Sequence, residues 1–224
     1  MHDERHNDAF TATHRHRTAV HEAGHAVAYS LAGVGLEHVE IADEGVPFAQ
    51  LDQWGVCQPC GAGIYLVGLQ WNERTGGFVA DRRAHLAHVR CLQRPFARHL
   101  RRHMRASVCA RLAGQLAEQR VHERGALVSL EGLAAGEGGP ARFEFVLQEQ
   151  AFEIEEAQAI CLLLPSRRAY EHALRATASA LLDHWHYVEQ LACELERMGR
   201  LQGHALARLL PPAKRHWPPA KVGR

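Results

Sequence analysis

Residues 13–32 restrict the fold more than any other segment of the chain. Ala19, Val20, Ala23, Ala26, Val27 and Leu31 recur at steps of three and four, the period of one buried helix face. Gly33 and Gly35 follow the last of them and close the predicted helix. Inside this alanine-rich window lies the polar run His21-Glu22-Ala23-Gly24-His25. Its two middle residues are small, so another element can pack closely against the same turn.

A helix makes this run chemically specific. At about 3.6 residues per turn, His21 and His25 share a face and lie about one turn apart. Two imidazoles so placed can ligate one Zn²⁺ at about 2.0–2.1 Å. Glu22 points about 100° away from His21, where it can hold a water. Zinc lowers the pKa of a bound water to about 7, and the glutamate takes its proton, giving a nucleophile for a peptide carbonyl. The chain has 17 histidines, which raises the chance of an accidental match, but the helical setting favours a metal site over a solvated pair.

The remaining pattern is mostly helical. A half-buried strand is predicted at 36–41, where apolar and polar residues alternate. Two short apolar runs, Ile64–Leu69 and Phe78–Ala80, flank the turn Arg74-Thr75-Gly76-Gly77 and read as strands. Helical periodicity returns from Arg82, with a break at Pro95, and continues over about 96–122, where Leu100, Met104, Val108, Leu112 and Leu116 recur at four-residue steps. The stretch Leu133–Pro140 is glycine-rich and reads as a loop. Further helices are expected near 141–163, 167–183, 185–198 and 203–210. The fold class is therefore mainly α (α+β), with one small sheet in the N-terminal third. A disordered lead at 1–12, one domain over 13–210 and a disordered proline-rich basic tail at 211–224 complete the expected organisation.

The active-site helix of the FtsH family of ATP-dependent zinc peptidases is similar to Thr18-Ala19-Val20-His21-Glu22-Ala23-Gly24-His25-Ala26-Val27-Ala28. The segment Arg111–Gln119 resembles that family's small-residue helix before the third-ligand loop. Residues 191–203 resemble its last peptidase-domain helices. The resemblance spans about 18–210 and implies a zincin-like, multi-helix zinc metalloendopeptidase with one Zn²⁺ per chain and peptides or unfolded protein as substrate. It implies His21 and His25 as ligands and Glu22 as the base. No Gly-x-x-x-x-Gly-Lys-Ser/Thr loop occurs in the chain, so the expectation is a stand-alone peptidase domain, with folded substrates delivered by a separate unfoldase. Residues 43–75 look like an insertion relative to the family.

The family's third ligand is an aspartate near the start of a helix after a glycine-containing loop. The matching place, residues 138–145, has none. Glu144 is the carboxylate expected to serve there, with Glu137 and Glu149 as alternatives and no carboxylate ligand as a further one. The same gap keeps open a catalytically inactive homologue acting as a binding or adaptor protein.

Other features point elsewhere or nowhere. Cys57 and Cys60 have the spacing of half a zinc knuckle or a redox pair, but no second such pair exists, and a turn with two ordinary thiols is expected. Residues 82–105 hold eight arginines and four histidines without one acid; the plainest reading is the solvated face of one or two helices. The net charge of +1 excludes a strongly basic coat over the whole chain, so nucleic acid is not an expected partner, and a nucleic-acid-associated regulator using the arginine-rich helix is kept only as a second alternative. No run approaches the roughly 18 apolar residues of a membrane span. The polar first residues lack a signal-peptide core, and the six cysteines are scattered. A cytoplasmic location is expected. Trp185 is expected to anchor the C-terminal helices.

Overall fold

The structure is a computed structural model that describes residues 11–47, 50–51, 53–60, 66–121, 129–135 and 151–218. Among these, the order of elements is α1 (Ala12–Leu31), β1 (Leu36–Ile41), β2 (Gly55–Pro59), β3 (Leu69–Asn72), β4 (Gly77–Ala80), α2 (Arg82–Cys91) and α3 (Arg94–Val121). There follow α4 (Leu130–Ala135), α5 (Ala151–Leu163), α6 (Ala169–Asp183), α7 (Trp185–Met198), β5 (Arg200–Gln202) and α8 (Gly203–Ala207). The chain is mainly α with a minority of β, as its periodicities indicate.

Helix α1 is the central element. Thr11 caps it: its Oγ1 accepts from the His14 amide and the His14 ring reaches back to the Thr11 amide. From Thr18 to Ala28 every side chain is buried, so the helix is enclosed on all sides. α3 covers one side, with α5 and α6 beyond it; α7 covers another, and the sheet of β1 and β2 a third. A methyl group at Gly24 would sit 2.5 Å from the Ala113 carbonyl oxygen, so glycine lets the backbones of α1 and α3 approach this closely. Leu31, Met104, Leu112, Leu116, Leu191 and Leu195 fill the layers between these helices.

The larger sheet has the order β2-β1-β5, with both neighbours antiparallel to β1. Val39 and Ile41 of β1 point inward and are buried. The sheet is thus not confined to the N-terminal third, because β5 arrives from residue 200 onward. β3 and β4 form a separate hairpin around the expected turn, which makes two sheets where the sequence suggested one. The expected break falls at residues 92–93, between α2 and α3, and Pro95 occupies the first turn of α3, where its missing N–H is no loss. Residues 130–135, at the edge of the glycine-rich stretch, are a short helix. Trp185 is half-buried against the core at the start of α7, with its indole N–H donating to Glu189 at 2.7 Å and the Arg120 guanidinium over its ring.

The C-terminal segment differs from expectation. Residues 211–218 lie against the C-terminus of α1: Ser30 donates to the Pro211 carbonyl at 2.6 Å, and the Lys214 amide donates to the Leu31 carbonyl at 2.9 Å. Trp217 is buried in the core. The Leu31 carbonyl, left open at the end of α1, gains a donor, and one indole ring gains burial, which together offset the ordering of a proline-rich chain. No helix among the described residues is long and apolar enough to cross a membrane.

Candidate metal centre

His21, Glu22 and His25 all project from α1 into the interior, each at 5–6 % exposure. An uncompensated ionisable group this deep is costly, so its partners are decisive. α3 supplies two. The Ala110 carbonyl lies 2.6 Å from His25 Nδ1, and the Glu118 carboxylate lies 3.2 Å from His21 Nδ1. A carbonyl can only accept, and an ionised carboxylate likewise, so both histidines carry their proton on Nδ1 and present Nε2. Arg17 donates from its other side to Glu118. Burial raises the Glu118 pKa, but hydrogen bonds and charge from His21 and Arg17 outweigh it and hold the carboxyl below its ordinary value.

The two Nε2 atoms stand 2.9 Å apart. Opposite them is a third group, Glu153 on α5, with Oε1 3.1 Å from His25 Nε2 and Oε2 3.3 Å from His21 Nε2. Glu153 Oε2 is buried and has no hydrogen-bond donor aligned on it. Burial would raise the Glu153 pKa, but His25 and His21 lower it well below the usual carboxylate range. Two imidazole lone pairs and a carboxylate therefore converge on one point. Such a set is stable only around positive charge, either protons or a cation. Two nitrogens and one oxygen with room for a further ligand is the donor set of catalytic zinc. The residues present fit a Zn²⁺ ion.

The surrounding backbone leaves space for this arrangement. A methyl at Gly114 would lie 2.6 Å from His25 Cε1 and Nε2 and 2.7 Å from His21 Nε2. Gly114→Ala should push both rings out of register, at a cost typical of overpacking, about 1–3 kcal/mol. Zinc affinity should fall at least about tenfold, measured by competition with a chelating dye. Unchanged affinity would separate the ring positions from metal binding.

Glu153 is held in register from its own helix. One turn later, Glu156 receives two hydrogen bonds from Arg111 of α3, at 2.7 and 2.6 Å. This bidentate pair fixes α5 against α3. Glu22 stands beside the centre, and β2 roofs it: a methyl at Gly55 would come within 2.7 Å of the Glu22 Cγ and Oε1. Burial raises the Glu22 pKa above 4.5, with His25 and His21 opposing. A carboxylate of raised pKa is a stronger proton acceptor. Glu22, His25 and Glu153 line a cavity of about 580 Å³ whose walls also carry Tyr29, Phe152 and Ile160.

Protons would compete with a metal ion for the same lone pairs. In the metal-free protein burial lowers the His21 pKa, but Glu118 and Glu153 overcome it and raise it to about 10. Charge on His21 thus stabilises the metal-free fold most below the ordinary pKa of about 6.5, and that contribution is lost as pH rises through about 10. Zinc needs the neutral ring. Its affinity should climb about tenfold per pH unit between roughly pH 7 and 9, one proton leaving per ion bound. A zinc titration repeated across that range checks this; a flat profile would contradict it.

The sequence-predicted trio His21, Glu22 and His25 is brought together. Glu144, Glu137 and Glu149 lie outside the described residues. Among the described residues, Glu153 is the carboxylate with oxygens within 3.3 Å of both Nε2 atoms, and sequence reasoning missed it, as it missed the orienting role of Glu118. Each left a signal. Glu118 is an acid in a run of small buried residues, and Glu153 and Glu156 share the α5 face that carries Ala157 and Ile160. Cys57 and Cys60 are free thiols and join no metal-binding group among the described residues. Burial, with Glu22 and Glu153 nearby, raises the Cys57 pKa well above 9.0. No protein-family model and no curated protein matches the chain.

Proposed function

We propose that this chain is a zinc-dependent metallopeptidase similar to the peptidase domain of the FtsH family. The observation that carries the reading is the convergence of His21 Nε2, His25 Nε2 and the Glu153 carboxylate, beside Glu22, in one cavity. His21, His25 and Glu153 would hold the ion. When bound, zinc supplies Lewis acidity to a peptide carbonyl and acidifies water.

The chain's own groups do the rest. Glu22 accepts a proton from the attacking water and returns it to the departing amine, so the bond to nitrogen breaks with its charge neutralised. Glu118 and the Ala110 carbonyl hold the two imidazoles in one tautomer, and Arg17 holds Glu118. The β2 roof limits access of bulk water to Glu22. Glu153 supplies the carboxylate whose apparent absence motivated the alternative of an inactive binding protein. Peptides and unfolded segments are the substrates proposed, with a separate unfoldase needed for folded proteins.

Purified protein should cleave an unfolded casein-type substrate, stop when a chelator is added, and recover on addition of zinc. Glu153→Ala should lower zinc affinity and activity together by at least about tenfold, because two imidazoles alone leave the ion mostly to water. Cleavage that continues in excess chelator would reject the reading.

A further inference from the structure

The first three turns of α3 carry a band of arginines that no acid pairs among the described residues, Arg102 donating instead to the Ala32 carbonyl at 3.3 Å. Arg94, Arg98, Arg101, Arg102 and Arg105 fall within roughly 100° of the helix circumference. Ala97, Leu100 and Met104 occupy the buried side. Arg94, Arg98 and Arg102 are exposed, and Arg101 and Arg105 are half-buried. The preceding α2 carries exposed Arg82, Arg83 and Arg90 on a separate helix.

Elsewhere, seven of the twelve described arginines form ion pairs, namely Arg15, Arg17, Arg111, Arg120, Arg175, Arg197 and Arg200. Among the described residues, none of the eight arginines between 82 and 105 does. The Arg105 Nε is buried without a hydrogen-bond partner. Burial, with Arg101 and Arg102 beside it, lowers the Arg105 pKa. The charge is segregated rather than general. Residues 82–105 hold no acid, whereas the rest of the chain has 18 basic against 25 acidic residues. Like charges crowded on one face cost stability unless an anion covers them.

We propose that the arginine face of α3 docks duplex nucleic acid through its phosphates, without reading base sequence. From Arg94 to Arg105 the row is about 16 Å long. A duplex presents one negative charge per roughly 1.7 Å of its axis, enough to meet every arginine of the row. Guanidinium forks take phosphate oxygens in pairs. The α3 sector that holds the five arginines contains no aromatic ring and no large apolar side chain. Nothing there can stack on unpaired bases, which disfavours a single strand. Nothing there can wedge between acyl chains, which disfavours a bilayer.

The test is fluorescence polarisation of a labelled mixed-sequence DNA duplex of about 20 base pairs with the full chain, across a salt series. Four to five neutralised phosphates predict a slope of log affinity against log salt of about −4, or roughly 250-fold weakening between 50 and 200 mM. Arg94→Gln/Arg98→Gln/Arg102→Gln should reduce the slope to about −1 to −2 and weaken binding at least about 50-fold at 50 mM. Circular dichroism confirms that the variant is folded. No duplex binding at 50 mM, a slope shallower than about −1, or a folded variant that binds like wild type would overturn the proposal. So would phosphatidylserine-containing vesicles or polyglutamate binding as tightly as the duplex, which would make the face a membrane or acidic-protein surface.

Discussion

His21→Ala combined with His25→Ala is expected to take the protein from about one bound zinc per chain to essentially none. Both imidazoles offer Nε2 to the same point, and the Glu153 carboxylate alone is a weak, monodentate-or-bidentate oxygen site that water outcompetes. The effect extends to stability. An ion that binds only the folded state adds about 2.7 kcal/mol when present at a hundredfold its dissociation constant. Zinc should therefore raise the melting temperature of the wild type and leave the double variant unmoved. The metal-free double variant should still fold, because the α1–α3 core of Leu31, Met104, Leu112 and Leu116 is untouched. Elemental analysis and thermal melts with and without zinc read both effects. Zinc retained by the double variant would place the ion elsewhere, with Cys57 and Cys60 the first residues to replace.

Glu22→Gln is expected to do the opposite: keep the metal and lose the chemistry. The amide is the same size and still fits beneath β2, against Gly55. It can hydrogen-bond water but cannot take its proton. General-base assistance is worth about 10²- to 10⁴-fold, and the rate of peptide cleavage should fall by that factor. Removing a buried carboxylate of raised pKa also removes its desolvation cost, so the variant should be at least as stable as the wild type. Cleavage at the wild-type rate would remove Glu22 from the mechanism.

Much of this centre was legible in the sequence because it obeys the helical period. The trio on α1 is local, and a spacing of four residues is enough to put both imidazoles on one face. α7 at 185–198 and β1 at 36–41 follow from periodicity to the residue. What periodicity cannot express is contact between distant segments. β5 is three residues long, too short for a pattern, and exists because β1 has a second edge to satisfy. The burial of Trp217 depends on the open end of α1. Glu153 depends on how α5 is keyed to α3, through Arg111 and Glu156.

Zinc-edge X-ray absorption of the purified, zinc-loaded wild-type protein tests the centre most directly. The account predicts a first shell of nitrogen and oxygen only, at about 2.0–2.2 Å, with the outer-shell signature of two imidazoles. A sulfur shell at about 2.3 Å would put the ion on cysteine and contradict a centre built from His21, His25 and Glu153.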